Sequence, residues 1–96
     1  MMPAGFSLLT TRRFERDYGA LLRGHPDLAE YYAAAVAVLK EDPYNRSRRH
    51  AIKKLAGVAE GDGQYRFRSG RFRFRYDIQD KVVFLKACSL RRENTY

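Results

Sequence analysis

The sequence predicts an α+β domain in the order β-α-α-β-β-β, and two different periods along the chain carry that prediction. Up to residue 43 apolar side chains recur at helical spacing. After Gly63 they alternate with charged ones, the period of a strand with one buried face. Size is the third observation: 96 residues with a hydrophobic share of 45% suffice for one core, so residues 1–96 are read as a single domain.

Phe6-Ser-Leu-Leu-Thr10 is a short apolar run ending in hydroxyl residues, a first strand giving way to a helix capped by Thr10 or Thr11. That helix is expected from Arg12 to Arg23, because Phe14, Tyr18, Leu21 and Leu22 form one stripe at i, i+4, i+7 and i+8. Gly24-His-Pro-Asp27 interrupts it and starts a second helix, since Pro suits the first turn and Asp the positive end of the helix dipole. Leu28, Tyr32, Ala35, Val36 and Leu39 repeat the helical spacing until Asp42-Pro43, where the residue before Pro is forced out of the helical region. From Tyr44 to Gly63 the pattern weakens and predicts a loop with one short helical turn around Ala51–Leu55. Then Tyr65, Phe67, Phe72, Phe74, Tyr76 and Ile78 alternate with Arg66, Arg68, Arg71, Arg73, Arg75 and Asp77, predicting two strands joined at Ser69-Gly70. A last strand, Val82–Ser89, follows a turn at Gln79-Asp-Lys81 and leaves a short tail.

Composition narrows the function. Nineteen Lys and Arg against eleven Asp and Glu give a net charge of +8, which calls for a polyanionic partner. The charge is lopsided: residues 1–43 carry five basic and six acidic groups, residues 44–96 fourteen basic and five acidic. Cys88 is the only cysteine, so an intramolecular disulfide is impossible, and no Cys/His cluster has zinc-ligand spacing. No metal or other cofactor is expected. Met1 to Thr10 lacks the basic and apolar regions of a secretory signal, and no run of 18 apolar residues occurs, so a cytoplasmic protein without a membrane partner is expected.

The arginines of the hairpin are the constellation that carries chemistry. A two-residue turn at Ser69-Gly70 sets Arg68 opposite Arg71, Phe67 opposite Phe72, Arg66 opposite Arg73 and Tyr65 opposite Phe74, with Arg75 just beyond. One face is then aromatic and packs on the helices, while the other is cationic. Like charges directly opposed across a sheet cost about 0.2–1 kcal/mol per pair, so folding alone does not favour the arrangement. Such a face is either the solvated side of an amphipathic hairpin or a site for phosphate, which the planar fork of Arg grips well.

The ordered set Lys54-Leu-Ala-Gly57, Tyr65-Arg-Phe-Arg68, Gly70-Arg-Phe-Arg73 with Tyr76 and Ile78, and the tail Arg91-Arg-Glu-Asn-Thr-Tyr96 resembles the RelE/ParE toxin superfamily. Thr11-Arg-Arg-Phe-Glu-Arg-Asp17 and Leu39-Lys-Glu-Asp-Pro43 extend the resemblance over nearly the whole chain. It implies an antiparallel sheet with a two-helix hairpin packed on one face, the RelE-like microbial-ribonuclease type of fold. It also implies a cognate acidic antitoxin, with which such toxins form hetero-oligomers.

The RelE branch implies ribosome-dependent cleavage of mRNA, in which the ribose 2′-OH attacks the adjacent phosphate. Carried over by position, its functional residues are Arg66, Arg68, Arg73, Arg91 or Arg92, and Tyr96; the hairpin register adds Arg71 and Arg75 as RNA contacts, and Lys53 and Lys54 are either a solvated helix face or further phosphate contacts. Some relatives have lysine where this chain has Arg66 and Arg68; arginine clamps phosphate but does not serve as a base. The proton-transferring groups are then sought among Tyr96, Glu93, Lys53, Lys54 and the terminal carboxylate. His25 is expected to be structural, and His50 either a surface residue or an RNA contact. The ParE branch, which shares the fold but inhibits gyrase and cuts nothing, is the alternative, and an inactive nucleic-acid-binding or antitoxin-titrating relative is a third.

Overall fold

Thr11 turns the first strand into the first helix: its hydroxyl accepts from the Phe14 amide at 3.2 Å and donates to the Leu85 carbonyl at 2.9 Å. The computed structural model describes residues 5–91. In chain order these form β1 (Ser7–Thr10), α1 (Arg12–Gly24), α2 (Leu28–Glu41), β2 (Ile52–Lys54), β3 (Tyr65–Ser69), β4 (Phe72–Gln79) and β5 (Val82–Leu90). The expected helical hairpin is present, and Asp42 ends α2 as the Asp-Pro step predicted.

The sheet departs from expectation in three ways. Its strand order is β1-β5-β4-β3-β2, and β1 runs parallel to β5, so the sheet is mixed where a purely antiparallel one was expected. A whole helical hairpin separates β1 from the rest, so no tight turn dictates its direction. Second, Ile52–Lys54 is a strand, where a helical turn was expected. It supplies β3 with backbone partners, as Arg68 N–H donates to Ala51 C=O at 3.0 Å and Leu55 N–H to Gln64 C=O at 2.7 Å. Third, the β3–β4 loop is Gly70-Arg71, and Ser69 pairs with Phe72. Gly70 takes a φ of +62°, and a Cβ there would lie 2.7 Å from Tyr31 Cζ, so glycine suits the position on both counts and a side chain would have to displace the Tyr31 ring. The pairing slips by two residues, which changes partners but leaves the paired side chains on their expected faces; Arg71 alone leaves the expected row and enters the loop.

The inward face of the sheet and the two helices enclose the core. Phe14 is 2% exposed and packs beside Tyr18, Tyr32 and Phe74, while Phe72, Phe74, Tyr76, Val83 and Leu85 are fully buried. Each such side chain contributes about 1.5–3 kcal/mol through burial. The Tyr76 hydroxyl donates to the Pro43 carbonyl at 2.7 Å, satisfying the one polar atom that its burial would strand. In β5 Arg75 faces Ala87 but Tyr76 faces Leu85, a bulge at Lys86 that moves the inward positions from Cys88 to Leu85 and Val83. Beyond Leu85 the β5 edge is covered by α1, where the Asp17 carboxylate accepts from the Cys88 amide at 3.2 Å.

Candidate nucleic-acid interface

With Phe67, Phe72, Phe74 and Tyr76 turned to the helices, strand alternation turns Arg66, Arg68, Arg73 and Arg75 to the opposite, helix-free face. Pairing aligns them in two rows. Lys53, Arg66, Arg75 and Ala87 run across β2, β3, β4 and β5, and Arg68, Arg73 and Ser89 form the row toward the hairpin loop. Arg91 joins this end: its backbone N–H donates to Arg71 C=O at 2.7 Å, and its guanidinium reaches Gly70 C=O at 3.4 Å.

The charges are close enough to feel one another. Burial, and then the positive charges of Arg68, Arg73, Arg75 and Arg91, hold the Arg66 guanidinium below its ordinary pKa. The Nε atoms of Arg66 and Arg73 are buried and, among the described residues, find no hydrogen-bond partner. Buried donors are seldom left unsatisfied, and hydrogen bonds from charged donors to anionic oxygens are among the strong ones.

Not every expected contact joins this face. Arg71 sits in the hairpin loop, where its guanidinium lies 3.1 Å from both oxygens of Asp27 and 3.4 Å from His25 Nδ1. It ties the loop to the start of α2, so the expected opposition of Arg71 and Arg68 does not form; Arg68 faces Arg73. Arg75 is on the cationic face but is engaged, with Nε donating to Gly63 C=O at 2.8 Å and Nη2 to Asp62 C=O at 3.0 Å. Lys53 lies beside Arg66, whereas Lys54 points the other way, its ammonium 5.7 Å from the centre of the Tyr65 ring. Arg92, Glu93 and Tyr96 lie outside the described residues. His50 packs at the edge of Phe67 with Nε2 3.8 Å from the Asp42 carboxylate, in a loop closed by Asn45.

The sequence reading missed Asp77. Only 8% exposed, it accepts from the Gly63 amide and the Gln64 amide, both at 2.9 Å, and so fastens the β2–β3 connection over the outward face. Gly63 has a φ of +83° at this anchor. The signal was present, since Asp77 breaks a row of alternating arginines, but its partner lay in a glycine-rich stretch without a period.

No family model and no curated protein sequence matches the chain. Solved structures do. One is the archaeal RelE–RelB complex from Pyrococcus horikoshii OT3, with a TM-score of 0.64 and 21% identity over 90% of this chain and 94% of that one. Another is the toxin–antitoxin complex RelBE2 from Mycobacterium tuberculosis, with a TM-score of 0.59 and 23% identity over 92% of this chain and 100% of that one. Among the described residues no helix is long and apolar enough to cross a membrane. Two helices on one face of a five-stranded mixed sheet, in the arrangement of these structures, give this chain the RelE-like toxin fold.

Proposed function

We propose that the protein is the toxin of a toxin–antitoxin pair and an endoribonuclease that cuts mRNA in the ribosomal A site, acting in the cytoplasm. The observation that carries this reading is the helix-free face where Arg66, Arg68 and Arg73 converge, two of them with buried donors that lack partners. A phosphodiester laid there receives charge-assisted hydrogen bonds from planar donors. In the cleavage step the ribose 2′-oxygen bonds to phosphorus, its proton passes to a base, and the 5′-oxygen leaves and takes up a proton. The products are a 2′,3′-cyclic phosphate and a 5′-hydroxyl. Negative charge grows on the phosphoryl oxygens along this path, and Arg66, Arg68 and Arg73 oppose it.

The arginines stay protonated and do not serve as base. Among the described candidates Lys53 shares the face with Arg66 and Lys54 does not, which favours Lys53 for a proton-transfer or phosphate role. Tyr96 is the second candidate, and Arg91 or Arg92 would hold the phosphate beside it. The antitoxin is an acidic, amphipathic segment that covers the cationic face; two of the similar solved structures are complexes, one of RelE with RelB and one of a toxin with its antitoxin.

Inducing the protein in cells and following mRNA integrity and DNA breaks in parallel tests the reading. Early cuts within translated mRNA, ending in 2′,3′-cyclic phosphate, are expected before any DNA damage. DNA breaks with intact mRNA would overturn it in favour of gyrase inhibition.

A further inference from the structure

The outward face of the sheet continues past the arginines. Beyond Arg75 the β2–β3 connection folds over β4, and between it and β5 lies a shallow cleft of about 370 Å³. Glu60, Gly61 and Gln64 line it from the loop, Asp77 from β4, and Phe84 and Lys86 from β5. Its size falls within the range of roughly 300–1,000 Å³ typical of small-ligand sites. The cleft adjoins the cationic rows, because Gly63 lies against both Arg75 and Lys86: a Cβ on it would be 3.3 Å from Arg75 Nε and 3.6 Å from Lys86 Cβ.

The lining is wrong for a phosphate and right for a base. Two carboxylates, Glu60 and Asp77, repel an anion. Asp77 is committed to the Gly63 and Gln64 amides, whereas no hydrogen bond or ion pair among the described residues engages Glu60, which leaves its oxygens for a ligand's N–H groups. The half-buried Phe84 offers a ring for stacking, flanked in register by Leu9, which is 53% exposed. The Lys86 ammonium stands 5.9 Å from the centre of that ring and can turn to a neighbouring phosphate. A flat ring with amino donors, joined to phosphates on the next surface, is a nucleotide of single-stranded RNA.

We propose that this cleft is a nucleobase subsite for one nucleotide of the RNA whose phosphates lie on Arg66, Arg68 and Arg73. Glu60 gives it a preference for a base with an exocyclic amino group over uracil. A carboxylate accepts readily from the amino group of cytosine, whereas the uracil edge sets a carbonyl in the same place. The subsite rests on the RNA-binding reading of the neighbouring arginines.

Titrating the protein with CMP and with UMP while following its amide NMR signals tests the subsite without requiring cleavage. The signals of Gly61, Gln64, Phe84 and Lys86 should move together, with CMP bound about tenfold more tightly than UMP. Glu60→Gln should reduce the difference to about twofold or less. Equal affinities in the wild-type protein, or shifts confined to the arginines, would overturn the subsite. A parallel scan of programmed ribosomes carrying C or U at each codon position separates the two claims. Cleavage indifferent to C or U, with equal CMP and UMP binding, sinks the subsite and spares the nuclease. CMP selectivity in a protein that never cuts sinks the nuclease and spares the subsite.

Discussion

Replacing Arg73 with alanine should separate folding from activity. In the folded sheet Arg73 faces Arg68 across the hairpin and Ser89 on the other side, and its Nε is buried without a partner among the described residues. Removing it relieves an opposed like-charge pair, worth about 0.2–1 kcal/mol, and deletes a stranded donor. Against this stands the burial lost by a half-exposed aliphatic stem, about 0.8 kcal/mol for each methylene fully covered. These effects nearly cancel, so the melting temperature should stay within about 4–8 °C of the wild type, the shift that 1 kcal/mol produces in a domain of this size. Loss of one donor to the developing phosphoryl charge should slow cleavage by about 10²–10³-fold. Arg73→Lys should fall between, because it keeps the charge and loses the fork. The assays are thermal unfolding and single-turnover cleavage on programmed ribosomes. Cleavage by Arg73→Ala at the wild-type rate, in a protein that still melts cooperatively, would refute the reasoning.

Arg75 should behave in the opposite way: Arg75→Met frees the Asp62 and Gly63 carbonyls and should cost about 1–3 kcal/mol in urea unfolding, although both positions carry arginine on the same face. Association with the acidic antitoxin should slow steeply as salt rises, read by stopped-flow mixing; a rate indifferent to salt would contradict the electrostatic account. Burial, and then the nearby Asp17 carboxylate, push the Cys88 thiol up to about 12, so iodoacetamide at pH 8 should alkylate it far more slowly in the folded chain than in urea. Because the folded value is raised, the stability linked to Cys88 is complete below its ordinary value of 9.0 and is lost as pH rises through about 12.

The sequence revealed which side chains share a face more reliably than which strands touch. Alternation from Tyr65 to Ile78 has a period of two, and a slip of two residues in the hairpin leaves it intact; the turn residue alone could not distinguish loop Ser69-Gly70 from Gly70-Arg71. Both helices, the stop at Asp42 and a cap at Thr10 or Thr11 were legible because their signals are local, and the structure places the cap at Thr11. β2 was not, since Ile52-Lys-Lys54 is too short to show a period and exists to satisfy the edge of β3. The parallel pairing of β1 was hidden by the helices between it and β5, and the bulge at Lys86 blurred alternation in β5 itself. At the site, composition and register pointed to the arginine cluster. Which arginines are free depends on distant partners: Asp27 takes Arg71, and the carbonyls of Asp62 and Gly63 take Arg75.

On the proposed function, the helix-free arginine face handles an RNA phosphodiester during cleavage. The most direct measurement is the end chemistry of mRNA incubated with the purified protein on ribosomes whose A site is empty, alongside the Arg66→Ala, Arg68→Ala and Arg73→Ala proteins. A cut within the A-site codon that leaves a 2′,3′-cyclic phosphate and a 5′-hydroxyl is expected, slowed by about 10²-fold or more in each folded variant. Uncut mRNA with the wild-type protein, or cleavage unchanged in all three variants, would contradict it.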